Sequence, residues 1–273
     1  MVERNLLNGV IELHVHPAPD IQPRKFTDME LAEQMKEAQA AAVVLKSHTF
    51  PTMARAEIVS RLTGFSVFGS ITLNDEVGGF NPAAVEAALN LGAKTVWMPT
   101  KSAANHRKYF NLPGGLHALK DGKVDNGLDS ILHMIADRDV ILSTGHLSFE
   151  EQRVVIERAR DLGVKKIVID HPELALTRLT VWQQRYLQIF GVYFLRCAVY
   201  LDLSRSYADV LKNLTELGCS DTVLSTDCGN TGLPSWPGLM EEYLQYLLGH
   251  GVTEEELLSL IHISEPTRLL SIS

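Results

Sequence analysis

Two histidines one residue apart, His14 and His16, are the first residues in this chain whose spacing could do chemistry. In a β-strand residues i and i+2 point to one face, so in a strand ending at His16 both imidazoles project together and can share one ion. Single histidines close other short apolar runs. These are His48, with Lys46 two residues before it, then His146 and His171, and Asp227 closes the last run. Five of the ten histidines therefore fall at predicted strand ends, while His106, His117, His133, His250 and His262 fall in loops, helices or the tail. Neutral imidazoles with a carboxylate suit a divalent ion, zinc first, with manganese or iron as alternatives, and one or two ions. Such an ion brings the pKa of its water from 15.7 toward about 7. One histidine at a strand end is ordinarily a polar boundary residue; the ordered set gives the pattern its weight.

Short β-branched runs must position these groups. The predicted strands are Val10–His16, Ala42–His48, Ser66–Asn74, Thr95–Thr100, Val140–His146, Lys166–His171, Val192–Val199 and Thr222–Asp227. Helical stretches lie between them. Thr27 and Glu30 form a capping box before Asp28–Gln39. Pro82 starts a helix that Gly92 stops, Ser148 to Glu151 open one ending at Leu162, and Tyr207–Leu217 ends at Gly218. Eight such βα units predict an α/β fold, a (β/α)8 TIM barrel, with function at the strand ends. A doubly wound open sheet usually carries a Gly-rich turn after its first strand, and this one ends His-Val-His-Pro. Lys101–Gly127 reads as the one long irregular stretch, of the kind that serves as a lid.

Composition narrows the partners. The chain has 273 residues, 45% of them hydrophobic, with 25 Lys and Arg against 33 Asp and Glu and a net charge of −8. That balance weighs against nucleic acid and anionic membrane. No apolar run is long enough to span a bilayer, and the first residues carry no secretory signal. Three cysteines, Cys197, Cys219 and Cys228, offer neither a disulfide framework nor a zinc-finger spacing and fit a reducing cytoplasm. Cys228 and the three tryptophans, Trp97, Trp182 and Trp236, read as packing residues. A small-molecule substrate is expected. Arg24, His106 and Arg107, in loops after the first and fourth strands, point to an anionic one, and Asn74 and Thr100 at strand ends complete the candidate contacts. Homo-oligomerisation is left open.

At these residues the chain resembles the amidohydrolase superfamily of metal-dependent hydrolases. The matches are His14-Val15-His16, Ser143-Thr144-Gly145-His146, Ile169-Asp170-His171 and Ser225-Thr226-Asp227. Val44-Leu45-Lys46-Ser47-His48 and Val96-Trp97-Met98-Pro99-Thr100 resemble one uncharacterised branch that carries a domain-of-unknown-function label. The resemblance runs from about Ile11 to about Glu255. It implies a metal-activated water acting on an amide, ester or lactone. Asp227 would be general base, His171 would serve as ligand, oxyanion stabiliser or acid, and His14, His16, His146 and Asp227 would surround a mononuclear core with an optional second site. The fourth strand ends Met98-Pro99-Thr100 with no Glu, and Lys101 lies just beyond it, so the usual bridging group is missing or displaced. Lys46 could therefore be carbamylated and bridge two ions with His48, or hold an anionic substrate, or stand outside a mononuclear site. Phosphoesterase, isomerase and decarboxylase chemistry on the same barrel, or metal and ligand binding without turnover, are the rivals.

Leu258 to Arg268 resembles the in-frame translation of a transposon-type sequencing-library adapter, with the constant part resuming at Ile272-Ser273. Glu265-Pro266-Thr267-Arg268-Leu269-Leu270 also resembles the close of amidohydrolase barrels, Asn-Pro-x-Arg-Leu-Leu. The longer match implies that residues 1–257 form one barrel domain whose native C-terminus is truncated, and that 258–273 are foreign. Glu254 to Leu257 still favour a helix through Thr253–Ile261.

Overall fold

Parallel strands covered on both faces are near-continuous apolar runs, and the short β-branched runs of this chain become such strands, with a few buried polar residues among them. The computed structural model of the protein describes residues 5–261. Along the chain come β1 (Ile11–Val15), α1 (Asp28–Glu37), β2 (Ala42–Leu45), α2 (Met53–Thr63), β3 (Ser66–Phe68), β4 (Ser70–Thr72), α3 (Pro82–Asn90) and β5 (Thr95–Trp97). Then follow α4 (Ala104–Tyr109), β6 (Leu119–Lys120), β7 (Lys123–Val124), α5 (Asn126–Arg138), β8 (Ile141–Ser143), α6 (Phe149–Asp161) and β9 (Ile167–Asp170). The last elements are α7 (Val181–Gln188), β10 (Tyr193–Cys197), α8 (Tyr207–Leu217), β11 (Thr222–Ser225), α9 (Trp236–Gly249) and α10 (Glu254–Ile261).

All strands but the antiparallel pair β6 and β7 run parallel, in the orders β1-β2-β3 and β4-β5-β8-β9-β10-β11. β3 and β4 are one strand interrupted at Gly69, where a Cβ would fall 2.3 Å from Cα of Met53. Only glycine lets α2 pass that close. The first and last strands meet at the mouth, where Asp227 N donates to His14 O (3.0 Å) and His16 N to Cys228 O (2.8 Å). With that seam the eight predicted strands make the (β/α)8 barrel.

Ile11, Leu13, Val44, Trp97, Val168, Leu195, Cys197 and Val223 fill the barrel interior. The alternate residues, such as Val43, Leu45, Val96, Ile169 and Leu224, pack outward under the helices. Capping fixes where helices begin. Thr27 Oγ1 accepts from Glu30 N while Glu30 accepts from Thr27 N, and Ser148 with Glu151 repeats the device at α6.

The stretch Lys101–Gly127 is not irregular throughout, because it holds α4 and the β6-β7 pair. These elements are too short for periodicity to reveal. Trp182 is 68% exposed and packs on the helix residues Tyr186 and Phe149 and not in the core, whereas Trp97, Trp236 and Cys228 are buried. Of the expected foreign tail, Leu258–Ile261 close α10, with Leu260 and Ile261 buried, and residues 262–273 lie outside the described residues. Among the described residues no helix is long and apolar enough to cross a membrane.

Candidate metal centre

A β-bulge aims the first two imidazoles. Ile11 and Glu12 pair with Ala42 and Val43, but Val15 pairs with Leu45, so β1 carries one extra residue. Ile11 and Leu13 therefore face the interior, and His14, one residue on, still lies against the Trp97 ring (centroids 4.9 Å). Without the bulge, His14 would share a face with Glu12. Instead Glu12 is buried at the barrel seam, accepting from His14 N (2.9 Å), Thr226 N (3.1 Å), Thr226 Oγ1 (2.8 Å), Trp236 Nε1 (2.9 Å) and Ser225 Oγ. These donors pin the last strand and α9 to the segment bearing His14 and His16.

Nε2 of His14 and Nε2 of His16 stand 3.1 and 3.3 Å from the same oxygen, Oδ1 of Asp227. Asp227 reaches it from a left-handed backbone (φ 53°), an uncommon conformation for a residue with a side chain. Gly229 lets the two segments touch, since a Cβ there would lie 2.0 Å from His16 O. Burial alone would raise the Asp227 carboxyl, but its contacts with His14 and His16 hold it well below the usual range, so it is ionised.

The surrounding imidazoles are neutral. Burial lowers His16 to about 3 and His171 to about 4, and it lowers His48 and His146 well below the ordinary value. Their rings converge on the same floor. His16 stacks on His48 (4.5 Å), His146 lies 5.1 Å from His171, and His14 lies 5.6 Å from His171.

Hydrogen bonds assign two tautomers. Asn74 Oδ1 accepts from Thr100 N and Ser102 N, so its Nδ2 is the end that donates to Thr100 Oγ1 (2.8 Å). Among the described residues the Thr100 hydroxyl has no other acceptor for its proton, which therefore goes to His48 Nδ1 (2.8 Å) and leaves Nε2–H as a donor. At His171 the order reverses. Thr177 Oγ1 donates to His171 O (3.0 Å), so it accepts from Nδ1–H (3.2 Å) and Nε2 keeps its lone pair. His146 and His106 share a bond between their Nδ1 atoms (2.7 Å).

Lys46 is wholly buried beneath this floor, with Nζ 2.9 Å from His14 Nε2 and 4.0 Å over the Trp97 ring. Burial lowers its ammonium. Two residues that sequence reasoning passed over sit beside it. Asp170 accepts from Ser143 Oγ and Gly145 N, each at 2.6 Å, and so ties β9 to the loop of His146. Cys197 places Sγ 3.9 Å from Nδ1 of His14, the nitrogen turned away from Asp227. Alternation along β10 would have put Cys197 inside the barrel, but its neighbourhood depends on the closed seam.

Above the floor opens a cavity of about 910 Å³ lined by His14, His16, His48, His146, His171 and Asp227 and, among others, by Arg24, Lys101 and His106. Asn74 and Thr100 do not line it; they are buried and hold His48. Arg107 turns away to Asp75 (2.9 Å), and Arg24 is held by Asp20 (2.8 Å). Burial lowers His106 to about 4.

The spacings of His14 and His16 to Asp227 fit a divalent ion, while the two imidazoles stand beyond ligand reach of one another and close on an ion only by moving. Ligand atoms at the 2.0–2.1 Å typical of zinc stand about 3.3 Å apart around a tetrahedral ion, close to the spacings at Asp227 Oδ1. Among the described residues the group with metal-ligating atoms mutually in reach is His14, Cys197 and Asp227. Burial keeps the Cys197 thiol well up, which disfavours the thiolate.

The family model described as "Family of unknown function (DUF6282)" matches residues 9–194. A search of curated proteins finds no match. Solved structures share the fold. An amidohydrolase from Pseudomonas aeruginosa has a TM-score of 0.66 at 13% identity over 94% of each chain. The phosphotriesterase homology protein of Escherichia coli has 0.65 at 12%, over 96% of this chain and 99% of its own. A phosphotriesterase-like lactonase mutant from Deinococcus radiodurans has 0.63 at 16%, over 97% and 96%. The amidohydrolase resemblance read from the sequence therefore holds at the level of the barrel.

Proposed function

The chain belongs to the family of unknown function DUF6282, which fixes no reaction, and from the site we propose a metal-dependent hydrolase acting on small amides, esters or lactones. The observation that carries this reading is the convergence of two neutral-capable imidazole nitrogens on one ionised carboxylate oxygen at the floor of a cavity. A cavity of about 910 Å³ is of small-molecule size. The amidohydrolase and lactonase among the structural neighbours are hydrolases by name.

His14, His16 and Asp227 would hold one ion, with His146 and His171 as neighbouring ligands, and zinc suits this imidazole-rich set best. When bound, such an ion polarises a carbonyl and makes hydroxide available at neutral pH. Asp227 Oδ1 is occupied by the two histidines, which leaves Oδ2 to take the proton of the attacking water and pass it to the leaving group. His171 presents a lone pair and not a proton, so it acts as ligand or acceptor. His48 presents Nε2–H and stabilises the developing oxyanion. Lys46 does not reach the cavity and orders His14 from below. Three free cysteines suit a reducing cytoplasm.

The test is a screen of esters, lactones and amides with added Zn²⁺ or Mn²⁺, run on the wild type and Asp227→Asn. Metal-dependent turnover that falls by at least about a hundredfold in the variant supports the reading. Retained metal with unchanged turnover removes Asp227 from the role.

A further inference from the structure

We propose that Lys101 is the specificity-determining residue of this mouth and binds a carboxylate on the substrate, so that the site takes small monoanionic acids with an apolar body. The proposal rests on the hydrolase reading and narrows its substrate class.

Lys101 follows β5 at the mouth, lines the cavity and is half-buried. Among the described residues it makes neither a hydrogen bond nor an ion pair. The other long cations of the cavity are engaged. Arg24 is clasped by Asp20 through Nε (3.0 Å) and Nη2 (2.8 Å), and Arg178 pairs with Asp209 (3.4 Å). An ammonium drawn part-way out of water without a carboxylate costs free energy that an anionic ligand recovers. Burial, then the neighbouring charge of Arg24, lowers the Lys101 ammonium, while Asp20 and Glu76 act the other way.

The charge count favours a carboxylate over a phosphate dianion. Asp20 cancels Arg24 and Asp209 cancels Arg178, and with Asp202 also lining the cavity Lys101 brings one charge and leaves no excess for a dianion. Place matters too. Lys101 acts on His48 and His106 electrostatically, and His48 stacks on His16. A carboxylate on Lys101 therefore lies one small molecule's reach from the metal-site histidines. Phe110, Leu112 and Leu201, each about half exposed, line the same cavity (45%, 51% and 47%) and offer apolar contact to the rest of the substrate.

The test has two arms. In the first, 4-methylpentanoate and its neutral amide are added to zinc-supplemented protein and unfolding is followed. The carboxylate should raise Tm by a few degrees in the wild type, less in Lys101→Arg and not in Lys101→Met, and the amide should do nothing. No shift in the wild type, or an equal shift in Lys101→Met, overturns the proposal. In the second arm, 4-nitrophenyl hemisuccinate is compared with 4-nitrophenyl 4-methylpentanoate, which carries an isopropyl group in place of the carboxylate. Lys101→Met should lower kcat/KM for the anionic ester about 10- to 100-fold and leave the neutral one within about twofold. An equal fall in both overturns it. A Lys101-dependent 4-methylpentanoate shift without turnover of either ester supports carboxylate recognition and counts against the hydrolase reading alone.

Discussion

The Lys46 ammonium lies 2.9 Å from Nε2 of His14, the same nitrogen that stands 3.1 Å from Asp227. One imidazole nitrogen is thus contested by a buried cation and by the place where an ion fits. A lysine that bridged two ions would be a required ligand, whereas a lysine beneath the floor is not. Lys46→Met, apolar and of similar length against the Trp97 face, should keep one ion per chain. Metal content by elemental analysis checks this; two ions in the wild type falling to one or none in the variant would show that Lys46 is a bridging ligand.

Two threonines should separate metal binding from catalysis. Thr177 sets the His171 tautomer that offers a lone pair, and Thr100 sets the His48 tautomer that offers a proton. Thr177→Val should weaken metal affinity about 10- to 100-fold. Thr100→Val should leave metal affinity near wild type and lower kcat about 10- to 100-fold. Competition with a chelating dye and steady-state kinetics read the two effects. Identical profiles for the two variants would refute the assignment.

Glu12 ties the barrel seam together. Removing its carboxylate strands donors from Ser225, Thr226 and Trp236 inside the protein. Glu12→Ala should therefore destabilise by about 3–5 kcal/mol, and Glu12→Gln by less. Urea unfolding measures both; a loss under about 1 kcal/mol for the alanine variant would mean the seam holds by packing alone.

The strands were legible because they are short runs rich in β-branched and other apolar residues, and several of their ends carried the histidines. The bulge in β1 was not, since an extra residue leaves the i, i+2 relation of His14 and His16 intact while taking both off the face of Glu12. Asn74 and Thr100 looked like mouth residues at strand ends, yet their hydrogen bonds turn them into the support of His48. Lys46 had the parity to face inward, but parity gives no depth, and depth is what separates it from Lys101. The α4 segment that brings His106 to His146 was hidden in a stretch too short and mixed to show a period.

An ion held by His14, His16 and Asp227 would show itself in crystals grown with Zn²⁺ and measured on both sides of the zinc absorption edge. The expected result is an anomalous peak about 2.0–2.2 Å from His14 Nε2, His16 Nε2 and an Asp227 oxygen. Zinc bound elsewhere, with these three side chains still in contact as they are here, would contradict it.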